Sequence, residues 1–213
     1  MKLNKFLQRI FKKFFQNLFR ALNGKIILYD KKDNLEIHSH EINSLEIEKK
    51  TFNIKKKIYE INNARIYTDL VENVAIIKDN KLIGDISFQQ IDGELKDAKY
   101  NKVLSEGTPR FVKKIDGSVV SLIQGVSGTN YFHFLFDIIS RLKLFSQIIN
   151  FTEVDYFYIQ GREKWQINLL REFDIPETKI LDCNEYRHIA ASKILAVDHP
   201  WYELGYFQHE IKN

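Results

Sequence analysis

Ser118-Val119-Val120-Ser121-Leu122-Ile123-Gln124 is followed by Gly125-Val126-Ser127-Gly128-Thr129 and then by Asn130-Tyr131-Phe132-His133-Phe134-Leu135-Phe136-Asp137-Ile138-Ile139-Ser140-Arg141-Leu142. The first run reads as a buried strand, the second as a turn carrying two glycines, and the third as the opening of a helix that extends to about residue 148. The alternation continues with a strand at 156–159, a helix over 163–173 and strands at 179–181 and 193–197. Strands separated by helices predict parallel pairing through right-handed crossovers, which is half of a Rossmann-like sheet. Ligands of such sheets gather at the carboxyl ends of the strands, and the turn at 125–129 delivers the helix there.

That helix carries a polar stripe. At about 100° per residue, Asn130, His133, Asp137 and Arg141 fall within roughly 80° of arc. A helix packed on a core ordinarily turns charge outward, whereas here a base, an acid and a cation stack at i, i+4 and i+8, an arrangement suited to a polar ligand. The structural alternative is an exposed Asp137–Arg141 pair, worth only about 0.2–0.5 kcal/mol.

The same residues resemble the signature of glycosyltransferase family 61, written Asn-(Tyr/Phe)-(Tyr/Phe)-His-(Trp)-(Leu)-x-Asp-x-x-(Pro)-Arg-Leu. Asn130, Tyr131, Phe132, His133, Leu135, Asp137, Arg141 and Leu142 match it. Phe134 stands in place of Trp and keeps the aromatic bulk, and Ser140 stands in place of Pro, so a straighter helix is expected. Downstream, the run Trp165 to Ile180 resembles the family's next element, a helix with Leu169-Leu170 ending in a turn before Ile175 and Ile180, with Asp174 in place of Gly. Residues 60–125 also look like the β-rich lead-in of bacterial members.

Full-length relatives continue into a second half with an Arg-rich element and a His-Gly-Ala turn associated with the nucleotide-sugar donor. No His-Gly pair occurs here. By resemblance the chain is therefore expected to be the acceptor-side part of a two-lobed enzyme, truncated or completed by another chain.

Composition limits the other possibilities. The 213 residues are 44% hydrophobic and 13% aromatic, enough for a buried core. The formal net charge is +4, but the first 25 residues hold seven Lys or Arg (2, 5, 9, 12, 13, 20 and 25) and no acid. Taking those seven from the 32 Lys and Arg leaves 25 basic against 28 acidic side chains. The body is slightly acidic and offers no basic stripe, so no nucleic-acid partner is expected. Cys183 is the single cysteine, which excludes an intrachain disulfide and fits a reducing cytosol.

Residues 2–22 form a basic amphipathic helix, with Leu3, Phe6, Leu7, Ile10, Phe11, Phe14, Phe15, Leu18, Phe19 and Leu22 on one side. No run is apolar for the ~20 residues that a bilayer crossing needs. Five Phe with a basic back suit a helix lying in the headgroup layer, so peripheral attachment to the cytoplasmic face of an inner membrane is expected. Docking on the protein's own core is the alternative.

From 25 to 117 the period shortens toward two, with short strands at 25–29, 45–47, 58–61, 64–67, 74–77 and 84–88. Asp79-Asn80 and Asp116-Gly117 are expected as hairpin turns. His38 and His40 share a strand face, but without a Cys or carboxylate cluster they do not read as a metal site. The glycines at 125 and 128 match no phosphate-loop spacing, and Thr129 or Asn130 as a helix N-cap explains the turn.

The expected architecture is thus α/β: an amphipathic helix at 1–24, a β-rich region at 25–117 and a Rossmann-like lobe at 118–213, half of a GT-B-type scaffold. The resemblance implies an inverting glycosyltransferase that moves a sugar from a nucleotide-sugar co-substrate to a saccharide acceptor, in surface polysaccharide synthesis, with no resident cofactor or metal. Inversion requires a base for the acceptor hydroxyl and stabilisation of the departing phosphate. His133 or Asp137 is the expected catalytic group. Asn130, Arg141, Tyr131 and the aromatic Trp201 in His199-Pro200-Trp201-Tyr202 are the expected substrate-binding groups. A non-catalytic acceptor-binding fragment, or a subunit needing a second chain for the donor lobe, is the alternative function.

Overall fold

The strand Lys50–Thr68 organises the sheet, because three other strands pair along its two edges. The computed structural model describes residues 2–30, 33, 35–47, 50–70, 72–123 and 130–198. Among these, helix α1 (Lys2–Asn23) precedes strands β1 (Ile27–Leu28), β2 (His38–Ile47), β3 (Lys50–Thr68), β4 (Asn73–Lys78), β5 (Lys81–Leu82), β6 (Phe88–Ile91) and β7 (Glu94–Lys96). The short helix α2 (Val103–Glu106) and β8 (Lys113–Ser121) come next. A longer helix, α3, is built from an α-turn at Tyr131–His133, a π-segment at Phe134–Ile139 and an α-segment at Ser140–Phe145. Then come β9 (Tyr156–Ile159), α4 (Lys164–Arg171), β10 (Ile180–Asp182) and β11 (His188–Val197).

Among the described residues the fold is mixed α/β, built on one eleven-stranded sheet in the order β1-β5-β4-β3-β11-β8-β9-β10, with β2 beside β3 and β6-β7 beside β4. β11, β8, β9 and β10 are mutually parallel; helices join β8 to β9 and β9 to β10, as parallel neighbours require, while β11 follows β10 without one. β2, β3 and β4 are antiparallel, and β3 joins β11 antiparallel over Ile58–Tyr67. Strands of the 25–117 segment and of the following segment therefore share this sheet.

Alternating side chains serve two cores, as the pleat requires. Val120, Phe157 and Leu195 face Phe134, Ile138, Leu142 and Phe145 of α3 and Ile167 and Leu170 of α4. Val119, Tyr158 and Ile194 face the other way, toward Ile83, Ile86 and Phe88. Each fully buried Leu, Ile or Phe of α3 contributes roughly 1.5–3 kcal/mol.

Two turns test the local chemistry. Asp79-Asn80 is a hairpin turn as expected, with both residues at positive φ (48° and 59°) between the paired Lys78 and Lys81, the conformation that such two-residue loops require. Asp116-Gly117 is not a hairpin. It lies within β8, where the register against β11 slips between Ala191 and Lys193, so it forms a β-bulge in a parallel pair. Gly117 has φ +132°, and a Cβ there would lie 2.7 Å from Asp155 Oδ2. The expected strand at 84–88 is instead a 3₁₀ turn at Gly84–Ile86 followed by β6.

Candidate functional site

β8 is followed in the sheet by β9 and then β10 on one side, and the chain returns with β11 on the other. β8 and β11 are parallel neighbours, and the carboxyl ends of such strands are where parallel sheets place ligands. α3 reaches this end of β8. Its Arg141 Nη1 donates to the carbonyl of Ile123, just past β8, at 2.8 Å.

Asn130 Oδ1 accepts from the backbone N–H of His133 at 3.2 Å, so Asn130 is the N-cap of α3. The helix is not straight α: it widens over Phe134–Ile139, and Ser140 Oγ donates back to the carbonyl of Phe136. Widening inserts a residue into the turn, a feature frequent at functional sites, and a wheel drawn at a uniform 100° misses it.

His133 Nδ1 lies 2.9 Å from Asp137 Oδ2. Asp137 is completely buried and its Oδ1 has no hydrogen-bond partner among the described residues. Burial pushes the Asp137 carboxyl above its ordinary range, opposed by the bond from His133 and by the charges of Arg141 and His133. An Nδ1–H donated to a carboxylate makes Nε2 the basic nitrogen of the ring. That tautomer is assigned from the partners.

Arg141 is itself buried, and desolvation lowers its pKa to about 10 against the opposing charges of Asp137 and Asp198. It remains a cation at neutral pH and compensates the carboxylate. Its guanidinium is turned inward to Ile123, not toward an external phosphate. Tyr131 is exposed, its ring 5.0 Å from that of Trp165. Trp201 and the turn at 125–129 lie outside the described residues.

The structure therefore brings His133 and Asp137 into contact and sets Arg141 behind them, while Asn130 serves the backbone. It also shows groups that no motif announced. A cleft of about 960 Å³ is lined by Tyr29, Lys56, Tyr59, Asp85, Phe88 and Asp198, among others. Tyr59 donates its hydroxyl to Asp85 Oδ2 at 2.6 Å, and Asp198 Oδ1 accepts from Lys57 N at 3.3 Å. Asp198 follows β11 and lines the cleft, and its charge acts on both Arg141 and Tyr59, so it lies between the cleft and the polar edge of α3. These residues come from four separate stretches of sequence, and only strand pairing assembles them.

His38 and His40 are exposed on β2, and His38 pairs with Glu36 at 3.4 Å. Among the described residues no group of three or more His, Cys, Asp or Glu side chains is placed to hold a metal ion. Cys183 is buried, and burial raises its thiol pKa, so it is not an activated nucleophile. No helix among the described residues is long and apolar enough to cross a membrane. Comparison with protein-family models, curated proteins and solved structures finds no match to this chain.

Proposed function

We propose that this chain carries the acceptor side of an inverting glycosyltransferase acting on a nucleotide-sugar donor and a saccharide hydroxyl, in the synthesis of a surface polysaccharide. The observation that carries the reading is the His133–Asp137 pair, with its carboxylate fully buried, on the helix whose Arg141 reaches the carbonyl of Ile123 just past β8. His133 Nε2 takes the proton of the acceptor hydroxyl as that oxygen attacks the anomeric carbon. The bond from that carbon to the phosphate breaks, and the electron pair leaves with the nucleoside diphosphate. Asp137, out of reach of substrate, positions the imidazole and stabilises its protonated form, as buried carboxylates do for catalytic histidines.

The order β10-β9-β8-β11 supports reading this part of the chain as a Rossmann-like lobe, half of a GT-B scaffold. The cleft through Tyr59, Asp85 and Phe88 opens on the sheet face opposite α3, so it is not assigned to the acceptor in this reading. Because Arg141 faces Ile123, the donor's phosphates are held in this reading by a second lobe, on this polypeptide or on a partner chain.

The test is nucleotide release from a panel of nucleotide sugars with oligosaccharide acceptors, alongside direct binding of those oligosaccharides. Turnover that is lost in His133→Ala supports the transferase. Saccharide binding without turnover favours a non-catalytic acceptor-binding subunit. Absence of both rejects each reading.

A further inference from the structure

Helix α1 meets the body with the side that amphipathic helices ordinarily leave in water. Lys12 Nζ pairs with Glu106 Oε1 at 3.2 Å, Arg20 donates to the carbonyl of Ser105, and Asn23 Nδ2 donates to the carbonyl of Thr108 at 3.0 Å. Of the apolar side chains described on α1, Phe19 is the buried one. On the opposite arc Leu7, Ile10, Phe11, Phe14, Leu18 and Leu22 are exposed, Phe11 and Phe14 by 66% and 60%. A ladder of rings runs from that arc back toward the body: Phe11 to Phe15 at 4.7 Å, Phe15 to Phe19 at 6.4 Å and Phe19 to Phe111 at 5.0 Å. Phe111 is 80% exposed, and it extends the apolar surface beyond the helix.

We infer that α1 and Phe111 form one platform that seats the protein on an anionic phospholipid bilayer. A contiguous apolar face of this kind marks an interaction surface, and charge selects the occupant. The stretch from Lys2 to Lys25 holds seven basic residues and no acid. Exposed Arg9 and Lys13 flank the helix, and exposed Arg110 adjoins Phe111. A second copy packed through α1 would bring the exposed cations Arg9 and Lys13 of each chain toward those of the other, whereas anionic headgroups match them while the Phe and Leu side chains enter the acyl boundary. Because Lys12, Arg20 and Asn23 fix α1 to the body, the molecule docks as a unit with the helix flat on the surface and is not tethered by a loose tail. The inference is independent of the glycosyl-transfer reading.

The test is flotation of the full chain with phosphatidylcholine vesicles and with phosphatidylcholine–phosphatidylglycerol vesicles. Binding to the anionic vesicles is expected to be at least about tenfold tighter and to weaken with added salt. Phe11→Ser/Phe14→Ser and, separately, Phe111→Ser are each expected to lower it by roughly tenfold, with unchanged melting because all three side chains are exposed. His133→Ala is expected to bind as the parent does. Equal binding to neutral vesicles overturns the charge argument, and full binding by Phe111→Ser overturns the composite platform. A dimer dissolved by Phe11→Ser/Phe14→Ser, with no vesicle binding, shows that a second copy is the occupant and overturns the proposal.

Discussion

The imidazole of His133 and the carboxylate of Asp137 meet at 2.9 Å, one turn apart on α3, with the acid sealed from solvent and the base partly open to it. If Asp137 acts through His133, Asp137→Asn leaves the helix intact but replaces the acceptor that fixes the ring. Turnover is expected to fall by about 10²–10⁴-fold, comparable to His133→Ala. Stability is expected to fall, because the buried Arg141 guanidinium loses the carboxylate whose charge favours it. A kcat that falls while saccharide affinity is retained is the expected pattern; equal activity of parent and variant contradicts the assignment.

Arg141 is the electrostatic counterweight. Replacing it with Met leaves the Ile123 carbonyl without its donor and removes a cation whose charge acts on buried Asp137, and stranding buried polar groups in this way costs about 1–3 kcal/mol. Arg141→Lys keeps the charge but loses the planar fork that reaches Ile123, so an intermediate loss is expected. Adding Asp137→Asn to Arg141→Met removes the uncompensated charge and is expected to recover part of the loss in urea denaturation. An additive double variant contradicts the coupling.

The α/β alternation after residue 118 was legible because each strand is short, apolar and bounded by polar turns: 156–159 is β9 to the residue. The His133–Asp137 contact was legible for a similar reason, since four-residue spacing survives most helical geometries. The π-segment was not, because widening at Phe134–Ile139 depends on packing against the sheet and has no local signature. Nor was the length of β3, where Asn63 takes φ +49° within a continuous strand and so looks like a break in sequence. Tyr59, Asp85 and Asp198 escaped for a third reason: their proximity is a product of strand register.

His188 gives the fold a pH dependence of definite sign. It is buried, with Nδ1 donating to the carbonyl of Arg110 at 3.1 Å and Nε2 3.5 Å from Arg65 Nη1. Burial, aided by the charge of Arg65 and opposed by the bond to Arg110, lowers its pKa from 6.5 to about 4. Between those values the unfolded chain binds a proton that the folded chain refuses. This contribution to stability is therefore complete above pH 6.5 and is lost as pH falls toward 4, by about 3 kcal/mol at most. Urea midpoints measured from pH 4 to 7 are expected to slope for the parent and to flatten for His188→Gln; parallel slopes contradict the assignment.

Gly117 sits where the expected hairpin proved to be a bulge, and its substitution reads two costs at once. At φ +132° an L side chain is strained by about 1–3 kcal/mol. The new Cβ would also lie 2.7 Å from Asp155 Oδ2, the oxygen that accepts from Ser118 N at 2.7 Å and Ser118 Oγ at 2.8 Å. Those bonds to Ser118 hold the Asp155 carboxyl below its ordinary pKa. Gly117→Ala is thus expected to destabilise the protein and to raise the Asp155 pKa toward the usual carboxylate value, followed by NMR titration. In an Asp155→Ala background the contacts at 2.7 and 2.9 Å disappear while the one to Cβ at 3.1 Å and the backbone strain remain, so Gly117→Ala should cost less there than in the parent. An equal cost in both backgrounds would assign none of the effect to the Asp155 carboxyl.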